Sequence, residues 1–390
     1  MSGAGAGLPA GPRYDRGVHR LLPSALKAIA GAPDDLLAWP RPPRAVAVLV
    51  VDGLGHRLLD EHASLAPTLS GASREMLHAP FPTTTATSLT SIGTGLPPGE
   101  HGLVGYSFAV PGDERVLFAL TWSWDRHDPR FDARPDVDPD LLQPHPTAFE
   151  LAADRGIRAV TVLRPEFVGS GLTRAGLRGG EVMEATDLET TLRSVEEALA
   201  VPGPAIVYAH HGDLDTLGHM VGPSREEWLA ELGRIDDAIA RTAARLPPDA
   251  VLLVTADHGM VHVPDEGFVE LADRPDLLAG VRTLTGDARA RQLHTKVGAC
   301  DEVLAAWREH CGSDAWVASR DEAIAAGWFG PRVTDVARAH IGDVVVSARA
   351  LDLGWVHRDH DLVGGRMPGL HGAMTDEELE VPAIMLTRDD

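Results

Sequence analysis

The sequence predicts an α/β protein with a mostly parallel central sheet and helices on both faces. Three observations predict it. Four short runs are apolar at nearly every position: Ala45–Val51, Ala159–Leu163, Ala205–Ala209 and Ala250–Thr255. Such continuous runs suit parallel strands buried on both faces. Helical patterns alternate with them, as parallel crossovers require. Three of the four runs lead into Asp or His, and ligands of such sheets bind beyond the carboxyl ends of the strands.

Residues 1–20 are rich in Gly, Ala and Pro and read as a loose leader. Pro40 to Pro43 (PRPP) punctuates the approach to the first strand. Asp52-Gly-Leu-Gly follows that strand. The Thr-rich segment from Phe81 to Phe108 predicts a short helix, Thr87 to Ile92. Thr147 to Gly156 predicts a helix with Thr147 as N-cap, Glu150 three positions on and Gly156 as its stop. The second run ends at Leu163 and is followed by Arg164, and the third is followed by a stretch from His210 to His219. Ser224 to Leu246 carries apolar residues at helical spacing. The fourth run leads into Asp257-His258-Gly259.

Residues 262–339 read as an insertion or cap within a single domain whose core spans about 44–261 and 340–390. Gly342 to Ala348 (GDVVVSA) is expected to resume the core, and Val381 to Leu386 to supply a last strand.

Lys and Arg number 35 against 57 Asp and Glu, a net charge of −22 over 390 residues. With no basic cluster, binding to duplex nucleic acid is excluded as an expectation, because it rests on neutralising phosphates. A divalent cation is the more natural partner. Cys300 and Cys311 form neither a disulfide framework nor a zinc-type pair. No apolar run is long enough to span a membrane, and the first residues lack a signal-peptide pattern. The expected location is the cytoplasm.

Asp215 and His219 are four apart, so one helical turn puts them on one face. Asp257 and His258 share a turn that Gly259 can kink. With Asp52 and with His371, in PGLHGAMT, the set is three Asp and three His. Imidazole with carboxylate suits zinc, with manganese as the rival. Among the threonines, one hydroxyl at a helix N-terminus would sit where phosphate is favoured. A bound metal would lower its pKa. Composition alone leaves Thr83, Thr84, Thr85 and Thr87 all open, and Asp213 as a rival to Asp215.

In order, the motifs are a strand ending in Asp52-Gly, then Phe81-Pro82-x-x-Thr85, Thr94-Gly-Leu-x-Pro, His101-Gly, Asp215-x-x-Gly-His219, Asp257-His258-Gly and His371-Gly. Together they resemble the alkaline phosphatase superfamily, and within it the type I phosphodiesterase/nucleotide pyrophosphatase family, over roughly 44–261 and 340–390. The resemblance implies a hydrolase of small phosphate esters, nucleotides among them, with two divalent metals and Thr85 as the covalent nucleophile. Asp52, Asp257 and His258 would hold one metal, and Asp215, His219 and His371 the other. One departure stands out: such enzymes carry Phe-Pro-Asn after the nucleophile, where this chain has Ala86-Thr87-Ser88. The alternatives are a phosphomonoesterase or another hydrolase of the superfamily, with Arg164 on the phosphate, and a non-catalytic metal- or ligand-binding protein. Tyr106, Phe108, Trp122 and Trp124 would be either core or a wall against the leaving group.

Overall fold

A computed structural model describes residues 7–113, 115–125, 128, 130–358 and 366–389. The apolar runs form a seven-stranded sheet of β1 (Ala45–Val51), β2 (Ser73–His78), β3 (Arg158–Leu163), β4 (Glu181–Glu184), β5 (Ala205–His211), β6 (Ala250–Thr255) and a final strand, Glu380–Leu386. Across the sheet the order is β2, the final strand, β6, β1, β5, β3, β4. Pairings from β6 through to β4 are parallel, and the final strand runs antiparallel to both its neighbours. All seven residues of β1 are buried, as a central strand covered on two faces must be.

The helix at Thr147 begins with a complete capping box: Thr147 and Glu150 satisfy each other's backbone N–H, and the helix runs from Ala148 to Ala153. The next long helix covers Glu226–Ala243 and buries Trp228, Leu232, Ile235 and Ile239 against the core.

Two expectations are corrected. Val344–Ala348 does not resume the main sheet. It is an inner strand of a second, four-stranded antiparallel sheet with Val281–Gly286, Ala290–Thr295 and Ala315–Ser319. An apolar five-residue strand is buried on both faces in either sheet, so its pattern does not say which one it joins. Its faces divide the labour: Val344, Val346 and Ala348 pack with Trp307 of the helix Cys300–Cys311, while Val345 lies in one cluster with Phe81 and Ala86. The inserted unit therefore extends past residue 339, through Gly354–Val356, which pairs with Phe268–Glu270. Second, the stretch from Pro9 to Arg20 is not loose. Tyr14 donates its hydroxyl hydrogen to the Trp328 carbonyl at 2.7 Å, Trp328 Nε1 donates to Pro9, and Val18 is fully buried. One Tyr and one Val are enough to anchor a segment whose composition looks featureless. Residues 1–6 lie outside the described residues.

Cys300 and Cys311 sit at opposite ends of one helix, both as free thiols. Among the described residues, no helix is long and apolar enough to cross a membrane.

Candidate active site

The carboxyl ends of β1, β5 and β6 converge on one edge. Asp52 N–H donates to the His211 carbonyl, which fixes the turn after β1 against β5. Gly53 then takes φ +75°, and a Cβ there would lie 3.2 Å from Asp215 Oδ1, so only glycine lets this turn approach. After β6, a Cβ on Gly259 would lie 2.0 Å from the Glu377 carbonyl.

Six side chains gather here as two sets of three: Asp52, Asp257 and His258, and Asp215, His219 and His371. Within each set, donor atoms lie within 4.8 Å of one another. The three histidines are oriented alike. His258 Nδ1 donates to the Gly259 carbonyl at 3.0 Å, His219 Nδ1 to Gly369 at 2.7 Å, and His371 Nδ1 to Thr83 at 2.7 Å. A proton on Nδ1 leaves Nε2 as a bare lone pair. His258 Nε2 then faces Asp52 Oδ1 and Asp257 Oδ2, each at 3.4 Å. His219 Nε2 faces Asp215 Oδ2 at 3.3 Å and the His371 Nε2 at 3.2 Å. Two lone pairs at that separation repel unless a cation lies against both. Three carboxylate oxygens, Asp52 Oδ1, Asp215 Oδ1 and Asp257 Oδ2, are buried with no hydrogen-bond partner. Imidazole held through its far nitrogen is the arrangement metal ligands show. The residues present fit a divalent cation in each set.

The electrostatics agree. Burial, then the charges of Asp257 and Asp215, push the Asp52 carboxyl well above the usual carboxylate range. Burial, then His258 and His219, pushes His371 well below the usual imidazole value and keeps it neutral.

The threonines separate cleanly. The helix predicted from Thr87 begins earlier and spans Thr85–Thr94, with Thr84 as N-cap. Thr85 opens it, and its Oγ1 lies 3.3 Å from His258 Nε2. Thr83 is committed elsewhere: its hydroxyl donates to the Ala373 carbonyl and accepts from Gly372 N–H, holding the His371 loop. Thr87 and Ser88 are fully buried and border neither of the clefts beside Thr85. Asp213 pairs with Arg164, leaving Asp215 as the carboxylate that meets His219. Arg164 thereby has its charge engaged at the rim. Phe108 and Trp122 are core, Trp124 is half-buried under Arg115, and Tyr106 borders a cleft.

Sequence reading missed His210 as a site residue. Its Nε2 donates to Asp52 Oδ2 at 3.0 Å, and burial pushes its pKa down to about 4. Its position at the end of a buried strand was the available signal. A third group, His211, Asp213 and Glu231, has its charges answered by Arg234 and Arg164. Despite burial, the hydrogen bonds from His211 and Arg234 hold Glu231 down at about 2.

The sequence model of the type I phosphodiesterase / nucleotide pyrophosphatase family matches residues 46–373. The chain belongs to that family. It is accordingly an enzyme of the phosphoric ester hydrolase class. Among curated proteins none matches by sequence. Solved structures of the same fold include murine ectonucleotide pyrophosphatase / phosphodiesterase 5, at 17% identity and TM-score 0.64 over 87% of each chain. An inactive form of that murine protein was solved in complex with AMP. Phosphonoacetate hydrolase from Sinorhizobium meliloti 1021, in complex with phosphonoformate, aligns at 20% identity and TM-score 0.64, over 88% of this chain and 90% of that one. For this phosphodiesterase-family chain, the match begins at the second residue of β1 and ends two residues after His371, so it takes in all six metal-type ligands.

Proposed function

We propose that this family member is a metal-dependent phosphodiesterase that works through a covalent Thr85 intermediate. The observation that carries the diester is a pair of clefts that share Thr85, Leu120 and Asp215. One, of about 210 Å³, runs past Asp52 and Arg164; the other, of about 200 Å³, runs past Tyr106, His219 and His371. A phosphorus held at Thr85 with two organic arms has a place for both, whereas a monoester has one arm and would leave one cleft idle.

Asp52, Asp257 and His258 would hold one divalent cation and Asp215, His219 and His371 the other, zinc by ligand type with manganese as rival. When bound, the pair would neutralise the crowded carboxylates and the phosphoryl charge and make hydroxyl deprotonation accessible at neutral pH. The chain's own part follows from its geometry. Thr85 Oγ1 gives up its proton and bonds to phosphorus as the bond to the leaving oxygen breaks. The departing alkoxide takes up, by way of water, the proton that Thr85 released, beside Asp215, His219 and His371. Water then cleaves the Thr85 ester, restoring the hydroxyl and releasing a monoester. The N-terminus of the Thr85–Thr94 helix favours the phosphoryl oxygens in place of the missing Asn. The AMP held by the murine relative makes a nucleotide diester one substrate to try.

The test is hydrolysis of bis-p-nitrophenyl phosphate beside p-nitrophenyl phosphate, with chelator and with zinc add-back. Chelator-sensitive preference for the diester is expected. Preference for the monoester would move the enzyme to the phosphatases. No turnover of either by zinc-loaded protein would favour the non-catalytic reading.

A further inference from the structure

Phe81, four positions before Thr85, is fully buried, with its ring against Trp328 and Phe329 of the inserted unit at 5.5 Å between centroids in each case. Residues 81–85 carry more than the nucleophile. Thr83 ties them to the segment around His371 through its hydroxyl and its carbonyl. A shift of Phe81 would therefore move Thr85 and His371 together.

Tyr14 joins the two sides of this contact. Its hydroxyl donates to the Trp328 carbonyl at 2.7 Å and accepts from the Phe81 N–H at 3.4 Å. Burial pushes that hydroxyl well above the ordinary tyrosine range, so it keeps the proton it donates. The main chain of the same N-terminal strap is seated on the inserted unit. Gly11 N–H donates to the Ala326 carbonyl at 2.9 Å, and Trp328 Nε1 donates to the Pro9 carbonyl at 3.0 Å. A Cβ on Gly11 would lie 2.1 Å from the Gly327 carbonyl oxygen, so the two backbones meet directly. Phe81 thus has the inserted unit against its ring and the strap on its main chain.

We infer that Tyr14 is a positioning residue for the reaction: it clamps residues 81–85 to the inserted unit and so sets where the Thr85 hydroxyl stands. Tyr14 borders neither cleft beside Thr85 and acts through Phe81. The assignment rests on the reading of Thr85 as nucleophile above. A reacting group misplaced by about 1 Å can lose about 10²-fold in rate. One hydrogen bond behind the nucleophile therefore matters more to turnover than to stability.

The experiment uses the full-length, zinc-loaded enzyme and bis-p-nitrophenyl phosphate, well below the melting temperature of every variant. Tyr14→Phe keeps the ring and removes the hydroxyl. It should lower kcat by about 10- to 100-fold, with KM within about twofold of wild type and metal content unchanged. Gly11→Ala, which pushes the strap off Gly327, should reproduce that split. Ile239→Val, in the helix Glu226–Ala243, has a similar cost in stability and should leave kcat unchanged. Hydrogen–deuterium exchange adds a readout that needs no turnover: residues 81–89 should exchange faster in Tyr14→Phe and at the wild-type rate in Ile239→Val. A kcat for Tyr14→Phe within about twofold of wild type, or a loss that Ile239→Val matches, would overturn the positioning role. Turnover that survives Thr85→Ala would sink the nucleophile reading instead. Exchange then still decides the clamp, and an unchanged rate over residues 81–89 overturns it.

Discussion

The two sets of ligand-type residues have the same chemistry and different foundations. Asp52, Asp257 and His258 stand at the ends of β1 and β6, neighbours paired in parallel register along their length, and are 5%, 0% and 0% exposed. The sheet's hydrogen bonds fix the distance between them before any ligand arrives. The side chains of Asp215, His219 and His371 keep more of their surface, 14%, 21% and 10% exposed. The first two ride on the helix Asp213–Val221, and the third sits on a segment pinned by Thr83, by His219 through the Gly369 carbonyl, and by Ser347 of the inserted unit. One set is built into the core; the other is assembled by docking three separate pieces. The core set should be rigid and slow to exchange its ion, and the assembled set should be the first to empty.

The largest effect expected tests what both sets serve. Thr85→Ala removes the hydroxyl placed against His258 and should lower kcat by on the order of 10⁴-fold or more, with metal content unchanged on elemental analysis. Turnover within tenfold of wild type would mean that water or another hydroxyl attacks. Next comes a direct contrast between the sets. His219→Ala should lose one of the two metals and at least about 10²-fold in kcat, while the core set stays loaded. In the unmodified enzyme, a chelator titration at pH 7.5 should release metal in two stages, with only the first stage missing from this variant. Release in one step would show that the sets do not differ in the way their supports suggest.

A third variant attacks the docking itself. Arg289, from the inserted unit, makes a bidentate pair with Glu378, at 2.8 and 2.9 Å, and both side chains are fully buried. Glu378 also accepts from Ala373 N–H, two residues from His371. Arg289→Met strands a buried carboxylate, which costs about 3–5 kcal/mol. The double change Arg289→Met with Glu378→Met should recover most of that. Both outcomes are read by chemical denaturation, and metal content should show the assembled set weakened more than the core set. Equal loss from the two sets would dissolve the contrast.

The same contrast governs what could be read in the sequence. The core strands were legible because a strand buried on both faces must be apolar throughout, and Ala45–Val51 or Ala250–Thr255 admits few other readings. Asp52, Asp257 and His258 follow such strands directly, so their convergence on one edge was a consequence of the fold class. Asp215 and His219 were legible as a helical pair. The grouping with His371 came from the resemblance, since nothing local to a Gly-flanked His says which metal-type pair it approaches. His210 escaped notice because its partner, Asp52, is 158 residues away and reached only across paired strands. The destination of Val344–Ala348 and the anchoring of Tyr14 were hidden for the same reason: both depend on partners that only tertiary structure supplies.

A last effect separates loss of metal from loss of fold. His19, His101 and His294 lie outside both sets. Burial pushes them down to about 4, about 3 and about 4, with Arg20 adding to the effect at His19 and His19 itself adding at His101. In the unfolded chain each titrates near 6.5, so between those values the unfolded state binds more protons than the folded one. Their stabilising contribution is whole above pH 6.5 and is lost as the pH falls towards 4. Each costs on the order of 3 kcal/mol by the bottom of that window. The metal-free protein should therefore melt at steadily lower temperature from pH 6.5 down to 4.5, and His294→Gln should make that slope shallower. A melting temperature that stays level across the window would mean these histidines are not held neutral. If it falls as expected, metal released at pH 7.5 and above reports on the two sets alone, because there the buried histidines are neutral in both folded and unfolded chains.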